Sequence, residues 1–419
     1  MMVQIKKTTP PWYKWLIVTA TCLTSCSALY QEVLIIPRVR EVMEKVHLSL
    51  PQFSMIAMAG MLCSMILSIP AGGIADKIGI RKMIGIAYVL AIIAGLSRIF
   101  ATSFLPFFIA SMFCGVAAAM QTAVLGKLFG NWFGAKAGRA AGIMGAVAML
   151  GQSLSTGTGA LWPSLDAAYI GAAVFVAISG IFFVIVMKDK PFEMAEEENT
   201  LPSHKVPLKK AYILSLKSKN VWFSGLFLCL FMGGSMCIRS FLPAALQTGY
   251  GIDTVTAGSI TAIASIGFLF GNLLTPNFCI KLASNRIVTI IAGIGSAVFT
   301  FLSWQFGGSA MIWPVVFLAG FFWCSIQPIY LSAVTLMDDI PDHAKGSAGG
   351  IVTTLMMLGA FCIPSFIITP IAGTNYQLLF LMASACGILI AVLGFIAPDL
   401  MAIKAKENAE SIHGTAIKA

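Results

Sequence analysis

The sequence predicts an all-α integral membrane protein of twelve transmembrane helices, built as two pseudo-symmetric six-helix bundles with both termini in the cytoplasm. Three observations predict it. Hydrophobic residues fill 58% of the 419 positions and charged residues only 11%, whereas soluble domains run near a quarter charged. The apolar residues fall in stretches of roughly 18–25, the length that carries a helix across about 30 Å of hydrocarbon. Lipid offers the backbone no hydrogen-bond partners, so each stretch is expected to be helical. Finally, short patterns recur half a chain apart, which makes the second half a repeat of the first.

The spans are read in order. Spans 1 to 6 cover 14–37, 51–74, 83–103, 105–128, 139–162 and 167–187; spans 7 to 12 cover 221–247, 254–276, 286–306, 311–335, 346–369 and 377–397. The domains follow: an N-terminal bundle 1–187, a cytoplasmic linker 188–220, a C-terminal bundle 221–397 and a cytoplasmic tail 398–419. Most of the 27 lysines and arginines lie in alternate loops, such as Lys77, Arg81 and Lys82, or Lys127, Lys136 and Arg139. Positive loops stay cytoplasmic, which orients both ends inward. The net charge of +10 is therefore a set of topological anchors, and no basic domain for nucleic acid exists. Arg38, Arg40 and Lys45 are the exceptions, in a loop of the other set. The ten cysteines are scattered singly, as packing residues do. No Asn-x-Ser/Thr acceptor occurs, which fits a bacterial source and a plasma (inner) membrane location. Leu23-Thr24-Ser25-Cys26 is similar to a lipoprotein cleavage site, but losing span 1 would upset the charge pattern, so span 1 is retained.

The repeat is explicit. Gly138-Arg139-Ala140-Ala141-Gly142-Ile143 and Met149-Leu150-Gly151 match Gly346-Ser347-Ala348-Gly349-Gly350-Ile351 and Met357-Leu358-Gly359 at an offset of 208. Ile35-Ile36-Pro37 and Phe241-Leu242-Pro243 align at 206. Span 5 thus answers span 11, and span 1 answers span 7. The linker is broken by Pro191, Pro202 and Pro207 and reads as a tether; its Lys209–Lys219 stretch, with apolar residues between lysines, has the composition of a surface helix.

Span 2 ends in Gly72-Gly73-Ile74-Ala75-Asp76-Lys77-Ile78-Gly79-Ile80-Arg81-Lys82. This resembles the loop 2–3 motif of the major facilitator superfamily. Gly72 and Gly79 permit close approach and a tight turn, Asp76 supplies a carboxylate, and Lys77, Arg81 and Lys82 anchor the turn to the inner leaflet. After span 8 the acidic position of the motif is Ile280. Two departures weaken a drug-exporter reading: Ser111 stands where span 4 would carry an arginine, and span 5 lacks a Gly-Pro element. The Asn/Gly patterns of nitrate transporters in spans 5 and 11 are also missing. The resemblance implies two bundles around a cavity that opens alternately to each side, each bundle an inverted three-helix repeat. It implies a cytoplasmic gate in which Asp76 reaches the start of span 11. It further implies a secondary active transporter of a small solute, driven by a proton or sodium gradient or by exchange; a monomer surrounded by lipid, with a proton as the coupling ion, is the expectation.

A charge inside hydrocarbon costs roughly 2.5–3.5 kcal/mol, so its presence points to a partner or to water. Three cases occur: Glu32, Arg98 and Arg239. Glu32 and Arg239 precede Pro37 and Pro243 on the paired spans 1 and 7. They are expected to face a common cavity, Arg239 holding an anionic substrate group and Glu32 acting as the proton-coupling group. An outer gate, a structural ion pair or snorkelling to outer water fits the same placement. Arg98, near the end of span 3, is expected to snorkel. Gln121 and Gln327 match at an offset of 206; with Tyr30, Trp323 and Tyr330 they supply the polar and aromatic walls typical of a small-molecule site. The charge balance of the spans favours an anion such as a carboxylate.

Other classes are poorly served. The chain carries no HExxH, no G-x-S-x-G and no Walker loop, and its four histidines lie in loops or tails, so neither a metal centre nor hydrolytic chemistry has a seat and no cofactor is expected. A non-transporting solute sensor and a drug or metabolite exporter are the alternatives.

Overall fold

The structure, a computed structural model, describes residues 10–133, 137–188, 208–282, 284–337 and 339–399. Among these residues every regular element is helical. In chain order they are α1 (Pro11–Val33), α2 (Val39–Val46), α3 (Leu50–Ala57), α4 (Ala59–Ile78), α5 (Ile80–Ser97), α6 (Phe104–Cys114), α7 (Val116–Phe133), α8 (Ala137–Thr158) and α9 (Leu165–Val186). They continue with α10 (Leu208–Lys217), α11 (Lys219–Tyr250), α12 (Thr254–Leu282), α13 (Asn285–Gln305), α14 (Ile312–Cys324), α15 (Ile326–Leu336), α16 (Asp342–Cys362), α17 (Thr369–Ala372) and α18 (Tyr376–Ile396), with a π-helical stretch at Ile363–Ile368. Ten helical segments among the described residues are long and apolar enough to cross a membrane.

The chain divides into two compact units. Unit 1 comprises Met1–Leu48 and Ala59–Lys205, and unit 2 comprises Ser49–Met58 and Val206–Ala419. Each is held by three close helix pairs, and the pairs correspond. In unit 1, α8 meets α1 at Gly151, where an added Cβ would lie 2.4 Å from the Cys26 carbonyl oxygen. In unit 2, α16 meets α11 at Gly359, with the Cys229 oxygen at 2.2 Å. Gly151 and Gly359 are the residues aligned by the repeat. At Gly115, between α6 and α7, a Cβ would strike the Gly60 backbone of α4; at Gly320 of α14 it would strike the Ala264 backbone of α12. The third pairs are α5 with α9, through Tyr88 and Gly180, and α13 with α18, through Gly293 and Gly387. Only a hydrogen in place of a side chain lets these backbones touch, the packing mode that stabilises helices where lipid removes the hydrophobic drive.

Outward faces are apolar. Ile170, Val174, Ile178, Ile181 and Ile185 of α9 are each at least half exposed, as are Ile86, Val89 and Ile93 of α5. In water this would be an aggregation surface; against acyl chains it is the expected one.

Several predicted spans are interrupted. Span 1 ends at Val33, four residues before Pro37, whose ring excludes the carbonyl of that residue from a continuing helix. Span 10 breaks at Ser325, where Pro328 cannot return a bond to Cys324. Span 2 is split at Met58 into α3 and α4, and α3 belongs to unit 2, where the Ser54 and Ser365 hydroxyls are 3.2 Å apart. Span 7, by contrast, runs through Pro243 unbroken to Tyr250. The loop after span 1 contains a helix the sequence reading lacked: α2 buries Val39, Val42 and Val46. It also explains the misplaced positive charges. Arg38 is buried and donates to the carbonyls of Gly159, Ala160 and Trp162 while pairing with Glu41 at 2.7 Å. Lys45 bridges Asp166 at 2.7 Å and the Ile99 carbonyl at 3.3 Å. Of the linker, α10 is helical with Ile213, Leu214 and Leu216 exposed; the linker prolines and the tail beyond Asp399 lie outside the described residues.

Candidate functional site

In unit 1, Glu32 occupies the last turn of α1 and is 6% exposed. Its carboxyl lies on Gly60 of α4: a Cβ there would fall 2.0 Å from Oε1 and 2.7 Å from Cδ. Gly60 is in turn pressed by Gly115, so two glycines in layers make the seat for one carboxyl. The positive charge acting on Glu32 is Arg98. Here the structure departs from expectation. Arg98 does not snorkel; it caps the end of α5 with its side chain turned inward, 1% exposed, and Nη1 donates to the Gln31 carbonyl at 3.1 Å. The reason is local: Arg98 ends its helix beside the last turn of α1, where carbonyls lack helical partners.

The neighbours of Glu32 brace it. Gln31 Nε2 donates to the Ala91 carbonyl at 2.7 Å and to Cys114 Sγ at 3.4 Å. The Tyr30 hydroxyl pairs with Thr158 at 3.1 Å and accepts from Trp162 Nε1 at 3.1 Å, tying α1 to the end of α8. Gln121 of α7 is fully occupied inside unit 1: Oε1 accepts from the Tyr88 hydroxyl at 2.9 Å, and Nε2 donates to the Thr21 carbonyl at 3.0 Å and to Thr24 Oγ1 at 3.1 Å.

In unit 2, Arg239 is 5% exposed on α11, with its guanidinium over the Phe268 ring at 3.8 Å from the centroid. Pro243, four residues on, cannot return the helical bond to the Arg239 carbonyl. A ring face stabilises a desolvated guanidinium by ~2 kcal/mol, which makes Phe268 a neighbour of Arg239 that the sequence reading lacked. Cys324 lies close enough to Arg239 to interact with it, and its Sγ contacts Gln327 Oε1 at 3.7 Å. Gln327 is half-buried. Trp323 is fully buried against Gly234, its Nε1 donating to Thr300 at 2.8 Å. Tyr330 stacks on Phe227 at 4.1 Å and pairs with Thr289 at 3.1 Å. Both aromatics therefore pack α14 and α15 against α11. A cavity of about 250 Å³ between α12, α13 and α14 is lined by residues including Thr275, Phe278, Leu282, Val288 and Phe321; among the described residues that line it there is no charged group, and Arg239, Trp323, Gln327 and Tyr330 are not among them.

Of the gate motif, the side chains of Gly72, Asp76 and Lys77 lie outside the described residues. Gly79 has φ +85° and ψ 152°, a conformation that only glycine adopts without strain, and it turns the chain into α5. Arg81 donates from Nε to the Val184 carbonyl at 2.6 Å, and Lys82 is exposed.

Paired helices with apolar outward faces define a polytopic α-helical membrane protein. The sequence profile of the Major Facilitator Superfamily matches residues 21–364. The chain belongs to this superfamily. Its fold matches that of a solved bacterial homologue of the human lysosomal transporter Spinster, described as inward-facing and unoccupied, with a TM-score of 0.67 over 95% of this chain and 98% of the other, at 13% identity. Over 176 residues, 42% of this chain and 76% of the relative, it is 24% identical to an uncharacterized protein of Archaeoglobus fulgidus. It is 27% identical over 224 residues to the probable nitrate/nitrite transporter NarK2 of Mycobacterium tuberculosis. That match covers 51% of this chain and about half, 54%, of NarK2.

Proposed function

We propose that this chain is a secondary active transporter that moves a small organic anion across a bacterial plasma membrane by alternating access, coupled to a proton. It spans the membrane twelve times in this reading, with both ends inside, residues 1–187 and 221–397 as the two bundles, 188–220 as linker and 398–419 as tail. The two long helices beyond the ten most apolar segments, α1 and α8, are the serine-, threonine- and glycine-rich ones. Their hydroxyls need not bar them from lipid: Thr21 and Thr24 return hydrogen bonds to Ile17 and Ala20 of their own helix at 2.7 and 2.8 Å.

The observation that carries the anion reading is Arg239. Its guanidinium is held at 5% exposure over an aromatic face, on the helix that answers the Glu32 helix in the repeat, and a positive charge kept at that depth offers an anion a strong electrostatic contact. The partial match to a probable nitrate/nitrite transporter supports an anion as the class. Glu32 on its glycine seat is the carboxyl that takes up the coupling proton, and Gln327 adds a polar contact near Arg239. Tyr30, Gln121, Trp323 and Tyr330 line and brace the helices that carry these groups. Each role is assigned within its own unit. The test is uptake by purified protein in proteoliposomes of labelled monocarboxylates, dicarboxylates, nitrate and nitrite, with and without an acid-outside gradient. At least one anion accumulates with the gradient, Arg239→Ala abolishes its uptake, and Glu32→Gln abolishes the response to the gradient. Accumulation of cations or neutral solutes alone overturns the assignment.

A further inference from the structure

Among the described residues, four buried side-chain atoms in unit 1 have no hydrogen-bond partner: Gln31 Oε1, Arg98 Nε, Ser111 Oγ and Tyr169 Oη. Their residues are between 1% and 3% exposed. Buried polar atoms in native proteins are nearly always satisfied, and ordered water is the usual partner when protein is not. The four belong to one neighbourhood. Arg98 contacts the Gln31 backbone, and the Gln31 side chain contacts Cys114, one turn from Ser111 on α6. Phe107, one further turn along that face, lies 6.5 Å from the Tyr169 ring. The set mixes an N–H donor, a carbonyl acceptor and two hydroxyls that serve either way. This suits water, which makes about three such bonds, better than an anion.

The cluster also has two ends. The charged groups that act on Tyr169 are Arg98, deep in the unit, and Asp166 and Glu41, whose side chains are 52% and 47% exposed. Asp166 lies one turn before Tyr169 on α9, at the rim stapled by Lys45. At the inner end, Arg98 acts on Glu32.

We propose that Gln31, Arg98, Ser111 and Tyr169 wall a hydrated port within unit 1, through which water and protons pass between Glu32 and the rim bearing Asp166 and Lys45. The port rests on the reading of Glu32 as the proton-accepting group. In the transfer, a hydronium at the rim gives its proton to the bound water, the water passes on a proton of its own, and the Glu32 carboxylate forms the new O–H bond. The groups facing Glu32 and the port are Cys63 of α4, Arg98 of α5, Cys114 of α6 and Tyr169 of α9. Arg98 sets the direction of the field. Its charge is balanced while Glu32 is ionised, so a proton can enter; once Glu32 is neutral, the guanidinium opposes a second proton.

Two measurements on the full-length protein in liposomes test this without a known substrate. Hydroxyl-radical footprinting reads bound water. Tyr169 and Tyr88 are equally buried, but the Tyr88 hydroxyl is bonded to Gln121. Tyr169 is expected to be modified several times faster than Tyr88; equal rates overturn the port. Infrared difference spectra between acid and neutral pH then follow the Glu32 carboxyl band, identified by its loss in Glu32→Gln. Tyr169→Phe and Ser111→Ala, which keep the packing volume, are expected to slow deuterium exchange of that band several-fold. An unchanged exchange rate overturns the port and leaves the proton role of Glu32 standing. A wild-type spectrum with no Glu32 band overturns both.

Discussion

Substituting Gly60 by alanine separates function from folding. The new Cβ would lie 2.0 Å from Glu32 Oε1, and ordinary contact begins at 3.4 Å, so the carboxyl must retreat by 1.4 Å, the difference of the two. The obstacle is the end of a flexible side chain, and an off-rotamer adjustment costs about 0.5–1.5 kcal/mol. Gly115→Ala is the contrast. Its Cβ meets the Gly60 backbone, Cα at 2.4 Å and oxygen at 2.7 Å, so α4 and the α6–α7 junction must part. Overpacking of that kind costs about 1–3 kcal/mol. Gly145→Ala on α8 meets nothing within 4 Å and serves as the control, expected to be neutral or to gain roughly 0.5–1 kcal/mol from helix propensity. The assay pairs thermal melting in detergent with gradient-driven uptake at matched protein. Gly60→Ala should melt close to wild type yet lose transport by ~100-fold, the scale of a 1 Å misplacement at a reacting group. Gly115→Ala should lower the melting temperature clearly. Wild-type uptake by Gly60→Ala, or a loss of stability as large as that of Gly115→Ala, would refute the seat described for Glu32.

Further outcomes follow from the same geometry. Gln121→Leu removes three internal hydrogen bonds and should destabilise unit 1 by about 1–3 kcal/mol, read as a lower melting temperature with substrate preference unchanged. Gly79→Ala forces a β-carbon into φ +85° and should cost about 1 kcal/mol or more, measurable in the same melt. Arg38→Met should lower the melting temperature more than Glu41→Gln. The first strips three carbonyl contacts from a buried group, whereas the second removes one ion pair whose acid is half exposed. The Asp253 carboxyl is held below its usual range by hydrogen bonds at the start of α12, chiefly from Thr256. Its contribution to stability is present above the ordinary carboxylate range and disappears as pH falls through the lowered one. Asp253→Ala should therefore melt earlier than wild type at neutral pH, with the gap closing in acid.

How much was legible in the sequence varied with the physical origin of each feature. The apolar helical segments were readable because lipid imposes length and hydrophobicity on each of them. Gly151 and Gly359, matched at one offset in the sequence, are equivalent contact points with the partner helix of their own units. The glycine of the loop 2–3 motif also earned its backbone reading, at Gly79. Interruptions were less legible, although Pro37 and Pro328 mark two of them. Pro243 shows why: the same residue type is tolerated within α11, so a proline alone does not decide between a break and a continuous helix. The inward turn of Arg98 is not legible because its sequence position gives depth but not direction. A side chain at a helix end can turn to water or inward, and the Gln31 carbonyl that draws it inward is sixty-seven positions away. The α2 segment was hidden by its charges, which read as a loop although Val39, Val42 and Val46 sit at helical spacing. Phe268 was invisible for the opposite reason: among so many apolar residues nothing marks the one ring that carries a guanidinium.

We propose that transport couples an anion held by Arg239 to a proton held by Glu32. The coupling is measured most directly by the proton uptake that accompanies anion binding, followed with a pH indicator in weakly buffered detergent solution after titration of the transported anion. Wild-type protein should take up close to one proton per anion bound, and Glu32→Gln none while still binding the anion. Arg239→Ala should bind it at least ~30-fold more weakly, the lower end of the cost of removing one partner of a buried charge pair. Anion binding with no proton uptake by wild type, or with the same uptake by Glu32→Gln, would contradict it.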